Sequence, residues 1–379
     1  MTNTSFAHKD ILESLNQNLT LKEKLVCTHE AIKQFFPFLS RIAITIYDPA
    51  TTLLKSYIDS SDDPAPWQHC EAHLEELPSL KEVLDKGRPR VINNMVTFEN
   101  NESGHFKRLG RDGYAASYTM PFFDNGVFSG FIFFNSYRTD VFTDDVLHEL
   151  DIVGHMISLL VVNEMEAVHA LTAAVKTTEH ITHVRDTETG SHLDRMSRYS
   201  RIIAVRLAHK YNLDDAYIEH ILSFSTLHDI GKVGIPDSIL LKPGKLTRDE
   251  AEIMRTHTRR GREIIDDLIS NFGLDHFDYV SVLRNIAEYH HEAINGTGYP
   301  EGKKGIQIPL EARIVAVADV FDALTSDRPY KKAWSNGEAF AMLNKMAGEK
   351  LDRDCVDAII NSRKEVEEIQ EQFKEDKFG

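Results

Sequence analysis

Cysteine is scarce in this chain: Cys27, Cys70 and Cys355 stand far apart and are odd in number. That usage argues against a disulfide framework and against a zinc–thiolate site, and it fits a reducing compartment. Long apolar runs are missing too. No stretch approaches the roughly 20 residues that a membrane-crossing helix needs, and the first residues lack the basic and apolar segments of a signal peptide. A cytoplasmic protein with no membrane partner is therefore expected. Positive charge is in deficit as well, with a net charge of −16. Residues 1–160 hold 14 basic and 22 acidic side chains and the remainder 29 and 37, so the deficit is shared evenly. Polymeric nucleic acid is a poor partner for such a surface. A small phosphate ligand is compatible with it, provided that positive charge is gathered in one cleft.

What is present suits two domains: 379 residues, of which 42% are hydrophobic. Residues 6–36 read as one or two amphipathic helices. Residues 41–47 alternate and are β-branched, which predicts a strand, and Leu53 to Ile58 pairs back across Asp48-Pro49. A short helix over Ser79 to Lys86, a strand at Arg90 to Ile92, and a hairpin of Ser117–Phe122 with Val127–Ser136 follow. The Asn125-Gly126 step of that hairpin suits a tight turn. Thr143-Asp144-Asp145 starts a long helix. Its apolar stripe (Val146, Leu150, Val153, Ile157, Leu160) resumes at Val161, Met165, Val168, Leu171 and Val175 after a one-residue slip. The stripe fits either a coiled-coil-like parallel dimer that passes a signal along the chain, or a helix packed on its own domain. His69 beside Cys70 suggests either a haem or metal contact or, more simply, structural residues.

Beyond Thr177 the pattern is helical almost throughout, and His and acidic residues recur. His228 and Asp229 close an apolar run, with Gly231 as a helix stop and Lys232 one turn on. An adjacent imidazole and carboxylate are the pieces of a shared metal site. Glu188 and His192 are four apart, on one helical face. Thr247-Arg248-Asp249-Glu250 has capping-box spacing and opens a helix that carries His257. His290 and His291 end a further helix, before Gly296-Thr297-Gly298-Tyr299-Pro300. From Leu310 to Thr325 a helix is apolar nearly all round, yet holds Asp319 and Asp322 three apart. A buried carboxylate needs a partner, either a metal ion or a cation such as Arg313.

Five blocks in order carry a resemblance: His228 to Pro236, Lys242 to Thr247, His290-His291-Glu292, Gly296 to Pro300 and Ala318 to Thr325. Residues 180–355 resemble an HD-GYP domain, the branch of the HD phosphohydrolases that opens cyclic dinucleotides. Residues 20–160 look like a GAF domain, through the stretch Leu80 to Asn93 and the Gly-containing hairpin before the last helix. The fold class implied is an α+β GAF-like domain with an antiparallel sheet (1–160), joined by a helical linker (161–180) to an all-α HD-type bundle (181–379).

By that resemblance the metal ligands are Glu188, His192, His228, Asp229, His257, His290, His291 and Asp319, enough for two or three ions. With imidazole and carboxylate but no thiolate, iron or manganese suits the set better than structural zinc; iron is what the family implies, and manganese is next. The implied reaction is two-metal hydrolysis of cyclic di-GMP to pGpG and on to GMP. Asp229 stands at the chemistry, and Lys232 is placed to meet the departing oxygen. Arg328 and Lys331 are phosphate contacts by analogy or else solvated surface charge, and Tyr299 and Arg313 join them as candidate substrate contacts. One departure stands out: Ala293, Ile294 and Asn295 replace the usual basic and acidic residues before the Gly-x-Gly-Tyr-Pro loop. That leaves 3′,3′-cyclic GMP-AMP as a second substrate. The other readings are a non-catalytic cyclic dinucleotide receptor and a hydrolase of nucleoside polyphosphates. A homodimer through the linker helix and an unknown signal, small molecule or protein, at the GAF-like domain complete the expectation.

Overall fold

The computed structural model describes residues 8–61, 68–95, 113–183, 190–272, 274, 279–327 and 332–374, without side chains for 174–183. The chain divides near residue 166 into two compact units, Asp214–Ala216 grouping with the first. The first is built on a six-stranded antiparallel sheet of order β3-β2-β1-β6-β5-β4. Its long members are β1 (Leu39–Asp48), β2 (Leu53–Ser61), β5 (Ala116–Asp124) and β6 (Val127–Ser136). β3 (Glu71–His73) and β4 (Arg90–Ile92) are short edges. Two tight turns set the register, Asp48 opposite Leu53 and Asp124 opposite Val127. In the second, Asn125 and Gly126 both take positive φ, the conformation that a two-residue hairpin turn requires.

Helices cover both faces of this sheet. Helix α1 (Leu21–Lys33) opens with a capping box between Thr20 and Glu23; ahead of it only a 3-10 turn (Glu13–Asn16) forms, so the amphipathic stretch from residue 6 gives one α-helix. Helix α2 (Pro78–Lys86) lays Leu80 and Val83 on Ala43, Leu54, Phe131 and Phe133. On the opposite face runs α3 (Asp144–His183), 40 residues without a break. Gly154 lets it approach Met120 and Phe134, since a Cβ there would stand 2.6 Å from the Met120 sulfur, and the Tyr118 hydroxyl donates to Asp151. Leu150, Ile157 and Val161 of the predicted stripe are buried within the chain. Packing on its own domain thus accounts for that part of the stripe, while Ile152 and Leu159 are 72% and 70% exposed on the other side of the helix.

The second unit is all helical over its described residues. In chain order come α4 (Gly190–Tyr211), α5 (Asp215–Ser225), α6 (Asp237–Leu240), α7 (Arg248–Arg255), α8 (His257–Phe272), α9 (Val280–Tyr289) and α10 (Leu310–Thr325). They are followed by α11 (Asn336–Met346), α12 (Arg353–Ile360) and α13 (Arg363–Gln372). The core gathers around the apolar helix α10: Phe321 stacks on Phe340 at 5.1 Å and meets Tyr199 edge-on at 5.1 Å.

Two boundaries differ from the sequence reading. Helix α5 ends at Ser225, so His228 and Asp229 lie past it, in the turn that enters a 3-10 segment, Ile230–Gly234. Gly231 is therefore not the stop. Its role is close approach: a Cβ there would stand 1.8 Å from the His257 carbonyl oxygen and 2.4 Å from the Gly261 nitrogen. Helix α7 does have the predicted capping box, but it ends at Arg255, and His257 opens α8.

Candidate metal centre

His192 comes from α4, His228 and Asp229 from the turn after α5, His257 from the start of α8, His290 and His291 from the end of α9, and Asp319 from α10. These seven residues, separated by up to 127 positions, form two adjoining groups. Ligand atoms of Asp229, His257, His290 and His291 lie within 4.8 Å of one another, and so do those of His192, His228 and Asp319. Asp229 joins the groups. Its Oδ1 stands 3.1 Å from His257 Nε2 and 3.5 Å from His290 Nε2, while its Oδ2 stands 3.2 Å from His228 Nε2. The eighth expected ligand, Glu188, falls outside the described residues, as do Arg328 and Lys331.

Backbone carbonyls fix which imidazole nitrogens face inward. Nδ1 of His228, His257 and His290 donates to the carbonyls of Ser225, Met254 and Ile286 at 3.0, 2.8 and 2.9 Å. A carbonyl can only accept, so each neutral ring carries its hydrogen on Nδ1 and turns a bare lone pair at Nε2 toward Asp229. His257 Nε2, His290 Nε2 and Asp229 Oδ1 are buried and form no hydrogen bond among the described residues. Acceptors converging in a buried space repel unless a cation lies among them. The donor set thus fits bound metal ions, and imidazole with carboxylate suits a first-row transition metal.

Local electrostatics agree. Burial opposes charge on Asp229, but the Lys232 ammonium, whose Nζ stands 2.8 Å from Oδ2, outweighs it and holds the carboxyl well below the usual range. Burial pushes His290 down; burial and the neighbouring His290 push His291 down further, so both are kept neutral as ligation requires.

The two aspartates of α10 divide their work. Asp319 faces the site, with Oδ1 3.9 Å from His192 Nε2. Asp322, fully buried, accepts from His192 Nδ1 at 2.8 Å and from Arg195 at 2.7 and 3.0 Å. It orients a metal-facing histidine from behind, as carboxylates commonly do around metal sites. Sequence reasoning offered Asp322 a metal or Arg313 as partner; its cation is Arg195. Arg313 instead pairs with Asp352 at 2.7 Å and donates to the Ile308 carbonyl. With its guanidinium committed there, Arg313 is not among the side chains that converge on Asp229.

Tyr299 does reach the site. Its ring lies 4.8 Å from that of His291, with Arg255 over it at 5.3 Å, and burial pushes its phenol above the ordinary range. Sequence reasoning gave no role to Glu292, which positions this loop. Its buried Oε1 accepts the backbone N–H groups of Glu301 and Gly302 at 2.7 and 2.9 Å. Gly298 is needed there, since a Cβ would meet the Ala293 nitrogen at 2.3 Å. At the departure from the family pattern, Asn295 Oδ1 accepts from Thr297 N and Oγ1 at 3.1 and 2.7 Å. An aspartate oxygen would make the same bonds. Neither His69 nor Cys70 joins a cluster of metal-ligating side chains among the described residues.

The profile of the family described as "HD domain" matches residues 187–355. This stretch is thus similar to HD domains. A cyclic di-GMP phosphodiesterase response regulator of Xanthomonas campestris is 46% identical over 189 residues, 50% of this chain and 47% of that protein. A cyclic di-GMP phosphodiesterase of Vibrio cholerae is 36% identical over 63% of this chain and 49% of its own length. A 3′3′-cGAMP-specific phosphodiesterase of the same organism is 39% identical over 46% of this chain and 32% of that protein. The chain thus spans about half the length, or less, of these curated relatives. Among solved structures, the phycocyanobilin-bound GAF domain of a cyanobacterial phytochrome aligns at 16% identity and a TM-score of 0.33, over 40% of this chain and 89% of that one. The GAF-like character of the N-terminal half rests on its own strand order and helix placement. Among the described residues no helix of the HD or the GAF-like half is long and apolar enough to cross a membrane.

Proposed function

We propose that this chain is a metal-dependent phosphodiesterase that hydrolyses cyclic dinucleotides, with cyclic di-GMP as leading substrate and pGpG, then GMP, as products. One observation carries the reading: Asp229 faces two ligand groups at once, one through each carboxylate oxygen. His257, His290 and His291 would hold one ion and His192, His228 and Asp319 the other, iron first and manganese second; Glu188 is the candidate for a third. Such ions activate water and offset charge developing on phosphate oxygens. The protein's own groups do the rest. Asp229 stays ionised and orients what lies between the groups, Lys232 presents a cation beside the departing oxygen, and Tyr299 lines the approach. Arg328 and Lys331 are proposed phosphate contacts.

The relatives that act on 3′3′-cGAMP make that the second substrate. The test is chromatography of cyclic di-GMP and 3′3′-cGAMP incubated with anaerobically iron- or manganese-loaded protein. Linear products support the reading; binding without product under reducing conditions favours a receptor. Glu188→Ala is expected to lower the metal count by one per chain, and an unchanged count excludes a third ion held there.

The N-terminal half is proposed to regulate this activity from the cytoplasm as a homodimer through α3. Ile152 and Leu159, seven residues apart and exposed, supply an apolar seam. Leu159→Glu should then halve the mass found by light scattering, and a chain that is monomeric before the change contradicts the dimer.

A further inference from the structure

The α2-facing side of the N-terminal sheet contains a row of polar side chains that its core packing does not use. Arg41 on β1, Asn135 on β6 and Ser117 on β5 stand directly opposite one another across three strands. They are 6%, 0% and 1% exposed. Arg41 Nε, both amide heteroatoms of Asn135 and the Ser117 hydroxyl form no hydrogen bond among the described residues. Each unpaired buried group costs about 1–3 kcal/mol, so a row of them is an expensive feature unless something pairs with it. Arg41 and Asn135 line a cavity of about 350 Å³ whose apolar walls are Ala43, Leu54, Leu77 and Phe133. That volume lies at the small end of ligand pockets.

Charge narrows the ligand. Arg41 lies 3.6 Å from Asp59, which neutralises it, and the carboxylates Glu71, Glu76 and Asp215 also line the cavity. Among the described residues that line it, an anion meets acids and no uncompensated cation. The unpaired atoms of the residues that line the cavity are two donors, Arg41 Nε and Asn135 Nδ2, and one acceptor, Asn135 Oδ1. Their complement is an edge with two acceptors and a donor between apolar faces.

We propose that this cavity binds a small uncharged heterocycle with an imide or lactam edge, of the kind a nucleobase carries, and rejects its phosphorylated forms. The test is calorimetry and thermal shift on the full chain with uracil, uridine and guanosine, and with 3′,5′-cyclic GMP as the anionic arm. At least one neutral probe should bind one-to-one and raise the melting temperature. Asn135→Leu should weaken that binding tenfold or more while melting no lower than the parent chain, because an unpaired carboxamide has been removed; Asn135→Ala gives the same affinity readout if the leucine variant fails to fold. The proposal is overturned if no neutral probe binds at millimolar concentration, if the variant keeps the parent's affinity, or if cyclic GMP binds more tightly than the neutral probes.

Discussion

Both halves of this molecule bury polar atoms that no described residue pairs with, but they do so differently. In the HD half the atoms are of one kind, lone pairs of His257, His290 and Asp229, and they converge from separate elements on a point. In the GAF-like half they are donors and acceptors together, laid along one sheet face by strand register. Converging acceptors call for a cation; a mixed row calls for a molecule with a matching edge. The contrast also separates costs. The first cluster is held by buried ion pairs and carbonyl bonds from behind, whereas the second has the sheet beneath it and the Arg41–Asp59 pair beside it.

The largest effect that sharpens this contrast is expected at Asp229. Asp229→Ala removes the one carboxylate that faces both ligand groups, and turnover of cyclic di-GMP should fall to background while the helical circular dichroism is unchanged. Retained turnover would take Asp229 out of the chemistry. Next comes Asp322→Ala, which strands Arg195 without its buried partner and frees the His192 ring. Stability should drop by about 3–5 kcal/mol and metal affinity by about 10–100-fold, measured by denaturant melts and competition with a chelator. A change in neither would show that the carboxylate does not orient His192.

Gly231→Ala acts through packing alone. Its Cβ would meet the His257 carbonyl at 1.8 Å, and overpacking of this kind costs about 1–3 kcal/mol, so both melting temperature and metal content should fall. Smaller still is Asn295→Asp. Because an aspartate makes the same bonds to Thr297, the ratio of cyclic di-GMP to 3′3′-cGAMP turnover should stay within about twofold; a reversal of preference would place that side chain against the base. At the bottom of the scale lies Cys355, whose thiol burial pushes well above its ordinary value. It should resist maleimide in the folded protein while half-buried Cys27 and Cys70 react.

The legibility of the sequence follows the same division. Strand limits around the two turns, the helix Leu310 to Thr325 and the capping box at Thr247 were plain, because turn chemistry and periodicity are local. Histidines and buried aspartates declare a metal by their type, and their recurrence in known blocks did the rest. What stayed hidden depends on tertiary partners. Nothing near Asp322 in the chain names Arg195, 127 positions away, and Arg313 looked as good until Asp352 claimed it. Gly231 looked like a helix stop because its real constraint, the passing backbone of α8, is not in its neighbourhood. The row of Arg41, Ser117 and Asn135 was invisible, since such residues are ordinary in strands and only register lines them up.

The central claim is that Asp229 and the six described side chains around it hold at least two metal ions. Anomalous diffraction at the iron edge from anaerobically grown crystals tests it most directly. The account predicts two peaks flanking the Asp229 carboxylate, one within ligation distance of His257, His290 and His291 and one within reach of His192, His228 and Asp319. A single peak away from Asp229, or none in protein that hydrolyses cyclic di-GMP, would contradict it.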